Sequence, residues 1–448
     1  MQNYLQNQHT TSKLFAAAAV SLRIAGMFFI NLRKHKILAN MKCRFCSKKI
    51  DKVFIDLGSM AVSNAFLTKE QLNNGETIYP LKVLICDNCF LVQVDEYQKK
   101  EEIFSAEYVY FSSVSDFWLQ HSKKYVQKMI PEFNLTSNSL VVEIASNDGY
   151  LLQYFKESNI PCMGIEPTES TAQIAINKGI NTLVEFFSEE LAYKLSAQNI
   201  SPDLILGNNV LAHVPNLNDF VRGLKVLLNA SGVMTFEFPH LARLIENKEF
   251  DTIYHEHFSY FSFYFICNLF RFHGFEVFDV EELETHGGSL RVYIKHKENE
   301  ALPITSRVDT LLSTEIKNRI NHIDSYTGFQ ESANDIKNKF LTYIIGQKQE
   351  GKKIIAFGAA AKGNTFLNYC GIRPDIIECI VDDTPFKQDK YLPQSHIPVM
   401  SRSYLDNNRP DIIIILPWNF KKEIVSKLAF TKEWGAKLVT YIPELEIN

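Results

Sequence analysis

The chain has 448 residues, 46% hydrophobic and 22% charged, with a formal net charge of -4. That length calls for two or three hydrophobic cores rather than one. The acidic balance excludes a nucleic-acid binder driven by phosphate contacts, which would be clearly basic.

Residues 1–40 differ from the rest. Leu14 to Ile30 is apolar and Ala-rich, but Arg23 interrupts it and leaves it short of the roughly 20 residues of a membrane span. Lys13 resembles the charged start of a signal peptide, yet no small-x-small cleavage pattern follows and 31–36 is basic. The segment reads as an upstream extension, with a targeting segment or an amphipathic anchor as the other readings. No other stretch is a transmembrane candidate.

Cys43-Arg-Phe-Cys46 and Cys86-Asp-Asn-Cys89 each place two thiolates on one tight turn. Together Cys43, Cys46, Cys86 and Cys89 supply the soft ligands of a closed tetrahedral zinc site, structural because it has no open position. A redox pair is the other reading, but no thioredoxin-like pattern surrounds either motif. The remaining cysteines are scattered singly, which fits a cytoplasmic protein rather than a disulfide framework.

Leu140 to Ala145 predicts a buried strand that runs into Ser146-Asn147-Asp148-Gly149, a helix over 150–157, the strand Met163 to Ile165 and the acid Glu166. This is the first half of a doubly wound α/β fold. A dinucleotide turn would carry three glycines; this one has a single glycine and an aspartate that repels phosphate. A ligand with a ribose and no phosphate fits, and S-adenosylmethionine is one. Glu166 would bind its ribose hydroxyls and the Glu143 to Gly149 turn its methionine part; a generic α/β strand end is the bland alternative. Pro202 to Pro215 predicts another strand, whose end places Asn208, Asn209 and His213 on the ligand side.

After the strand over 232–239 comes the densest group of proton-transfer side chains, Tyr254-His255-Glu256-His257. An apolar helix over 262–272 follows, and charged helices over 310–350 make a connection. Lys352 to Gly363 then repeats the strand-to-glycine-turn pattern, with the strand Ile376 to Val381, Asp382 and a later strand over 411–416. Gly358, Gly363 and Lys362 can offer backbone amides and a cation to a phosphate. Read alone, this could be an NAD-binding domain.

Taken in order, these motifs resemble the C-methyltransferases that act on nucleotide-linked 4-keto-deoxysugars. The resemblance runs from Met41 to the C-terminus and includes Tyr79-Pro-Leu, Tyr108-Val-Tyr110, Glu143 to Gly149 and Gly164-Ile-Glu-Pro167. It continues with Asn208 to His213, Tyr254 to His257, His286-Gly-Gly-Ser-Leu-Arg291 and Tyr391-Leu-Pro393. One departure is Ala145, where the family usually has glycine; only a slight change in the turn is expected.

The resemblance implies a zinc-binding domain over 41–105, a class I methyltransferase core over 106–300 and a Rossmann-like domain over 301–448. It implies His257 as the base that forms an enolate, Tyr108, Tyr254 and His213 as sugar-orienting groups, and Glu256 as support. Glu143 to Gly149, Glu166, Asn208 and Asn209 would serve S-adenosylmethionine. Gly358, Lys362, Gly363, Asp382 and Tyr391 would hold the nucleotide-sugar. The expected assembly is a monomer or small homo-oligomer without nucleic-acid or membrane partners. An O-methyltransferase on the same sugars, a zinc-ribbon RNA methyltransferase and a non-catalytic scaffold are the competing readings.

Overall fold

A computed structural model describes residues 41–99, 101 and 111–448. Three sheets organise them. The first is antiparallel, in the order β1 (Lys52–Met60), β2 (Tyr79–Ile85), β3 (Val92–Val94) and β9 (Ser259–Tyr260), so its last strand comes from far along the chain.

The two cysteine turns sit at the edge of this sheet and have the same shape. Ser47 N–H donates to the Cys43 carbonyl and Phe90 N–H to that of Cys86, each over 2.9 Å. Ser47 and Phe90 close the turns with φ of 60° and 62°. The four Sγ atoms lie within 4.8 Å of one another, with Cys43–Cys89 and Cys46–Cys86 at 3.5 Å. A tetrahedral zinc with bonds of about 2.3 Å requires S···S edges of about 3.8 Å, so the cluster has the right size for the ion. Gln93 donates an N–H to Cys43 Sγ over 3.3 Å, the kind of outer contact that orients a metal ligand.

The second sheet has seven strands. β4 (Val141–Ile144), β5 (Cys162–Ile165), β6 (Asn181–Leu183), β7 (Leu204–Asn208) and β8 (Val233–Pro239) are parallel; β10 (Phe275–Leu283) and β11 (Ser289–His296) form a hairpin. The spatial order is β6-β5-β4-β7-β8-β11-β10, with β11 antiparallel to β8. That order, with its reversed strand near one edge, is the class I methyltransferase arrangement. The order of strand addition reverses between the parallel neighbours β4 and β7, and a ligand crevice opens there beyond the strand ends.

The third sheet follows two helices, Ser306–Lys317 and Phe329–Gln349, rather than one long connection. It contains β12 (Ile354–Phe357), β13 (Ile380–Val381), β14 (Val399–Met400), β15 (Ile412–Ile415), β16 (Lys437–Thr440) and β17 (Glu446–Ile447), in the order β14-β13-β12-β15-β16-β17. β15 is four consecutive isoleucines, all buried, as a central parallel strand covered on both faces requires. β13 is shorter than its sequence suggests because Ile376 and Ile377 are held in a turn by the Arg373 carbonyl.

Phe54 of the first sheet stacks on Phe329 at 4.7 Å, and Leu67 exchanges backbone hydrogen bonds of 2.9 Å with Tyr391. The cysteine-bearing domain is thereby tied to the third sheet as well as to the second. No helix among the described residues is long and apolar enough to cross a membrane.

Cys86→Ser should abolish one-to-one zinc binding and lower stability by about 3 kcal/mol or more, since metal binding is folding free energy here. Metal analysis and denaturant unfolding test this; a stable, metal-free, active variant would sink the structural role.

Candidate active site

One cavity of about 460 Å³ lies beyond the carboxyl ends of β4, β5, β7 and β8. Ala145 and Asn147 line it from the turn after β4, Glu166 from the end of β5, and Asn208 and Asn209 from the end of β7. Ile165, Pro167, Phe186, Phe187 and Phe220 make its apolar side. Glu166 accepts the N–H of Asn147 and of Thr168, both over 2.9 Å, which fixes its carboxylate at the rim. Burial pushes that carboxyl up while these amides pull it down. Asn209 stands at a left-handed φ of 56°, and its Oδ1 is buried without a hydrogen-bond partner. An anchored acid, an apolar slot and an unsatisfied acceptor fit the ribose, adenine and ammonium of S-adenosylmethionine.

Four other expected cofactor residues stand behind this wall. Glu143 is fully buried on β4, where burial drives its carboxyl well above the ordinary range. Ser146 packs under Gly164, Asp148 accepts from Ser113 and lies near Lys178, and Gly149 meets Ile180. None lines the cavity, because the turn aims these side chains back at the sheet and at the segment over 112–115.

Ala145 differs from its expectation. Its φ is 58°, a left-handed conformation that costs an alanine about 1 kcal/mol, and its methyl reaches the cavity wall. The departure from glycine therefore changes both strain and surface.

Opposite the cofactor wall stand Tyr254, Glu256, His257 and His213. His257 Nδ1–H donates to the Thr252 carbonyl over 3.2 Å, which leaves Nε2 as the acceptor of the Tyr254 O–H at 2.7 Å. His213 Nδ1–H donates to the Glu256 carbonyl over 2.8 Å, and its ring lies 4.8 Å from that of His257. Burial, with His213 second, keeps His257 well below the usual histidine range; burial lowers His213 to about 4. Both rings are neutral at pH 7. Glu256 receives Asn64 Nδ2 at 2.9 and 2.8 Å, and burial raises its carboxyl to about 7. His255 turns away and donates to the Tyr79 carbonyl over 3.3 Å. Tyr108 lies outside the described residues.

From the third sheet, Lys362 alone of the expected nucleotide-sugar residues lines the cavity. Its ammonium donates to Asn419 over 2.9 Å and lies 4.3 Å from the Trp418 ring. Burial lowers its basicity while Asp251 and Glu249 raise it. Gly358 and Gly363 are packing glycines, since a Cβ would meet Pro417 and Leu416. Asp382 accepts the Ala359 N–H over 2.6 Å, so it braces the turn instead of facing a ligand. Tyr391 pairs with Leu67 outside the cavity. Sequence reasoning missed Asn64, Trp118, His286, Lys387 and Phe420 as lining residues. His286 carried a signal, standing before two glycines with φ of 95° and 135°, and Asn209 Nδ2 donates to its Nε2 over 3.2 Å.

Comparison with known proteins agrees with this arrangement. Residues 43–104 match a zinc binding domain model, 118–280 a methyltransferase domain and 284–443 a C-methyltransferase C-terminal domain. The C-methyltransferase NovU of Streptomyces niveus is 30% identical over 90% of this chain and 96% of its own. The chain belongs to the C-methyltransferase family that its motifs resemble. It is an S-adenosylmethionine-dependent C-methyltransferase with a structural zinc site. Among solved structures, PH0226 of Pyrococcus horikoshii is 14% identical, covering 45% of this chain and all of its own, with a TM-score of 0.35. A methyltransferase of Clostridium acetobutylicum is 11% identical over 40% of this chain and 92% of its own, at 0.32. The family assignment rests on NovU and the domain matches, and not on these.

Ala145→Gly should remove the left-handed strain and, after the entropy of glycine is set against it, stabilise the fold by up to about 1 kcal/mol. It should leave S-adenosylmethionine affinity equal or tighter. Calorimetry and denaturant unfolding test this; weaker binding together with lower stability would contradict it.

Proposed function

We propose that the methyl acceptor is the carbon beside the ketone of a nucleotide-linked 4-keto-deoxysugar, and that the reaction passes through an enolate. The observation that carries this is His257: a neutral imidazole, tautomer set by Thr252, with its unprotonated Nε2 in the cavity on a tyrosine hydroxyl. Such a group can take a carbon-bound proton at neutral pH.

Substrate binding exchanges the Tyr254 O–H at Nε2 for the acidic C–H and releases that hydroxyl to donate to the ketone oxygen. His257 Nε2 accepts the proton and the C–H electron pair becomes the enolate. When bound beside Glu166, Asn208 and Asn209, S-adenosylmethionine would supply the electrophilic methyl for the enolate carbon, with the carbon–sulfur electron pair leaving on sulfur. His257 then returns the proton to water. His213 and His286, the latter lowered to about 4 chiefly by burial, stay neutral and orient the sugar without adding positive charge beside the base. Phe117, Phe420, Lys362 and Lys387 line the side nearest the third sheet, where an aromatic and cationic wall suits a nucleoside diphosphate.

His257→Ala should lower methyl transfer by at least about a thousandfold while S-adenosylmethionine binding stays within about twofold. Wild type should also exchange the substrate proton with deuterated solvent; absence of exchange would favour O-methylation and overturn the enolate. In the pH profile of kcat/KM, which reports the free enzyme, an ionisation near 7 should disappear in Glu256→Gln, because Glu256 titrates there and His213 far below. An unchanged profile in that variant would remove Glu256 from the working network.

A further inference from the structure

The segment that carries Tyr254, Glu256 and His257 is built into the zinc-bearing domain. Its continuation β9 is an edge strand of the first sheet, pairing Gln93 with Ser259 and Val92 with Tyr260. Val94 N–H donates to the Phe258 carbonyl over 3.0 Å. Arg44, inside the first cysteine turn, donates to that same carbonyl over 2.5 Å and to the Val94 carbonyl over 2.7 Å. Asn64, from the same domain, is the side chain that donates to the Glu256 carboxylate inside the cavity.

Arg44 is a half-buried cation bound chiefly to backbone. Among the described residues no carboxylate lies within 4.0 Å of its guanidinium, whose donors go to backbone carbonyls on either side of the β3–β9 junction. Its own N–H is fixed by Gln93 Oε1 over 3.0 Å, and Gln93 in turn donates to Cys43 Sγ. A continuous path therefore runs from a metal ligand, through Gln93 and Arg44, to the residue next to His257. Desolvating an arginine is costly even with Glu96 and Asp95 in electrostatic range, and donating to the carbonyl one residue from His257 is a specific use for it.

We propose that Arg44 and Asn64 are positioning residues for methyl transfer, holding the 254–258 segment in place so that the zinc site governs catalysis through them. This rests on the acid–base reading of His257 and Glu256. The expected cofactor residues stand at the ends of β4, β5 and β7, whereas the side chains of Arg44 and Asn64 hydrogen-bond to Val94, Ser259, Phe258 and Glu256, so cofactor binding and turnover separate. Misplacing a catalytic group by about 1 Å can cost a hundredfold in rate.

The test uses the full, zinc-loaded chain. Arg44→Gln should keep its zinc and hold S-adenosylmethionine affinity within about twofold. It should lower kcat roughly tenfold to a hundredfold with a smaller change in KM. Backbone amides over 254–260 should lose protection from hydrogen exchange, a readout independent of activity. Asn64→Ala should lower kcat in the same way with zinc and cofactor binding unchanged, and Asn64→Ser, which keeps a donor, should recover part of it. Unchanged kcat and amide protection in zinc-loaded Arg44→Gln would overturn the proposal. Were Arg44→Gln to lose its zinc or its fold, normal turnover in Asn64→Ala would overturn it. An active His257→Ala would defeat the acid–base reading, whereas loosened 254–260 amides in Arg44→Gln would still show the mechanical link.

Discussion

The pairing of β3 with β9 is the constraint on which the site depends. Two residue pairs join a strand beside the second cysteine turn to the residues just after His257. Because of that pairing, the acid–base segment cannot follow the methyltransferase sheet alone. It is stretched between two sheets, with Ala212 accepting the Phe258 N–H on one side and Arg44 and Val94 donating to the Phe258 carbonyl on the other. Two backbone anchors on one residue leave its neighbour little freedom, which is what the role proposed for His257 requires.

The electrostatics follow from the same enclosure. Burial keeps the imidazoles of His213, His257 and His286 neutral and brings the Glu256 carboxyl to about 7. Lys362 supplies positive charge from the third sheet, and its field lowers His257 and His286 further. Asp251 and Glu249 balance it from across the domain junction, with Asp251 held by Trp418 Nε1 and the Tyr441 hydroxyl, each at 2.8 Å. Positive charge on one side and neutral acceptors on the other suit the proposed enolate.

The sugar-nucleotide side is where residue-level expectation and structure part most clearly. Gly358 and Gly363 looked like phosphate-binding glycines, yet each is small because a neighbouring side chain needs the space. Asp382 was expected among the residues that hold the nucleotide-sugar, yet its carboxylate closes the Ala359 turn. The same local pattern serves ligand approach or tight packing, and only the neighbours distinguish the two. On the cofactor side the converse holds: Glu166 and Asn209 were visible as strand-end polar residues and do reach the cavity.

By itself the sequence determined what short-range chemistry determines. Cys43-x-x-Cys46 and Cys86-x-x-Cys89 carry their ligand geometry in two tight turns, and the apolar runs at β4, β7 and β15 require buried parallel strands. An acid after β5 and a Tyr-x-Glu-His run after β8 are likewise readable without coordinates. Tertiary structure alone decided which side chains meet: Asn64, 192 residues before Glu256, and Arg44, 214 before Phe258, reach their partners because the segment ending in β9 joins the first sheet from far along the chain. No periodicity or spacing encodes a contact of that separation. It depends on how side-chain volumes fill the junction between domains, and that sum is settled only when the whole chain is folded.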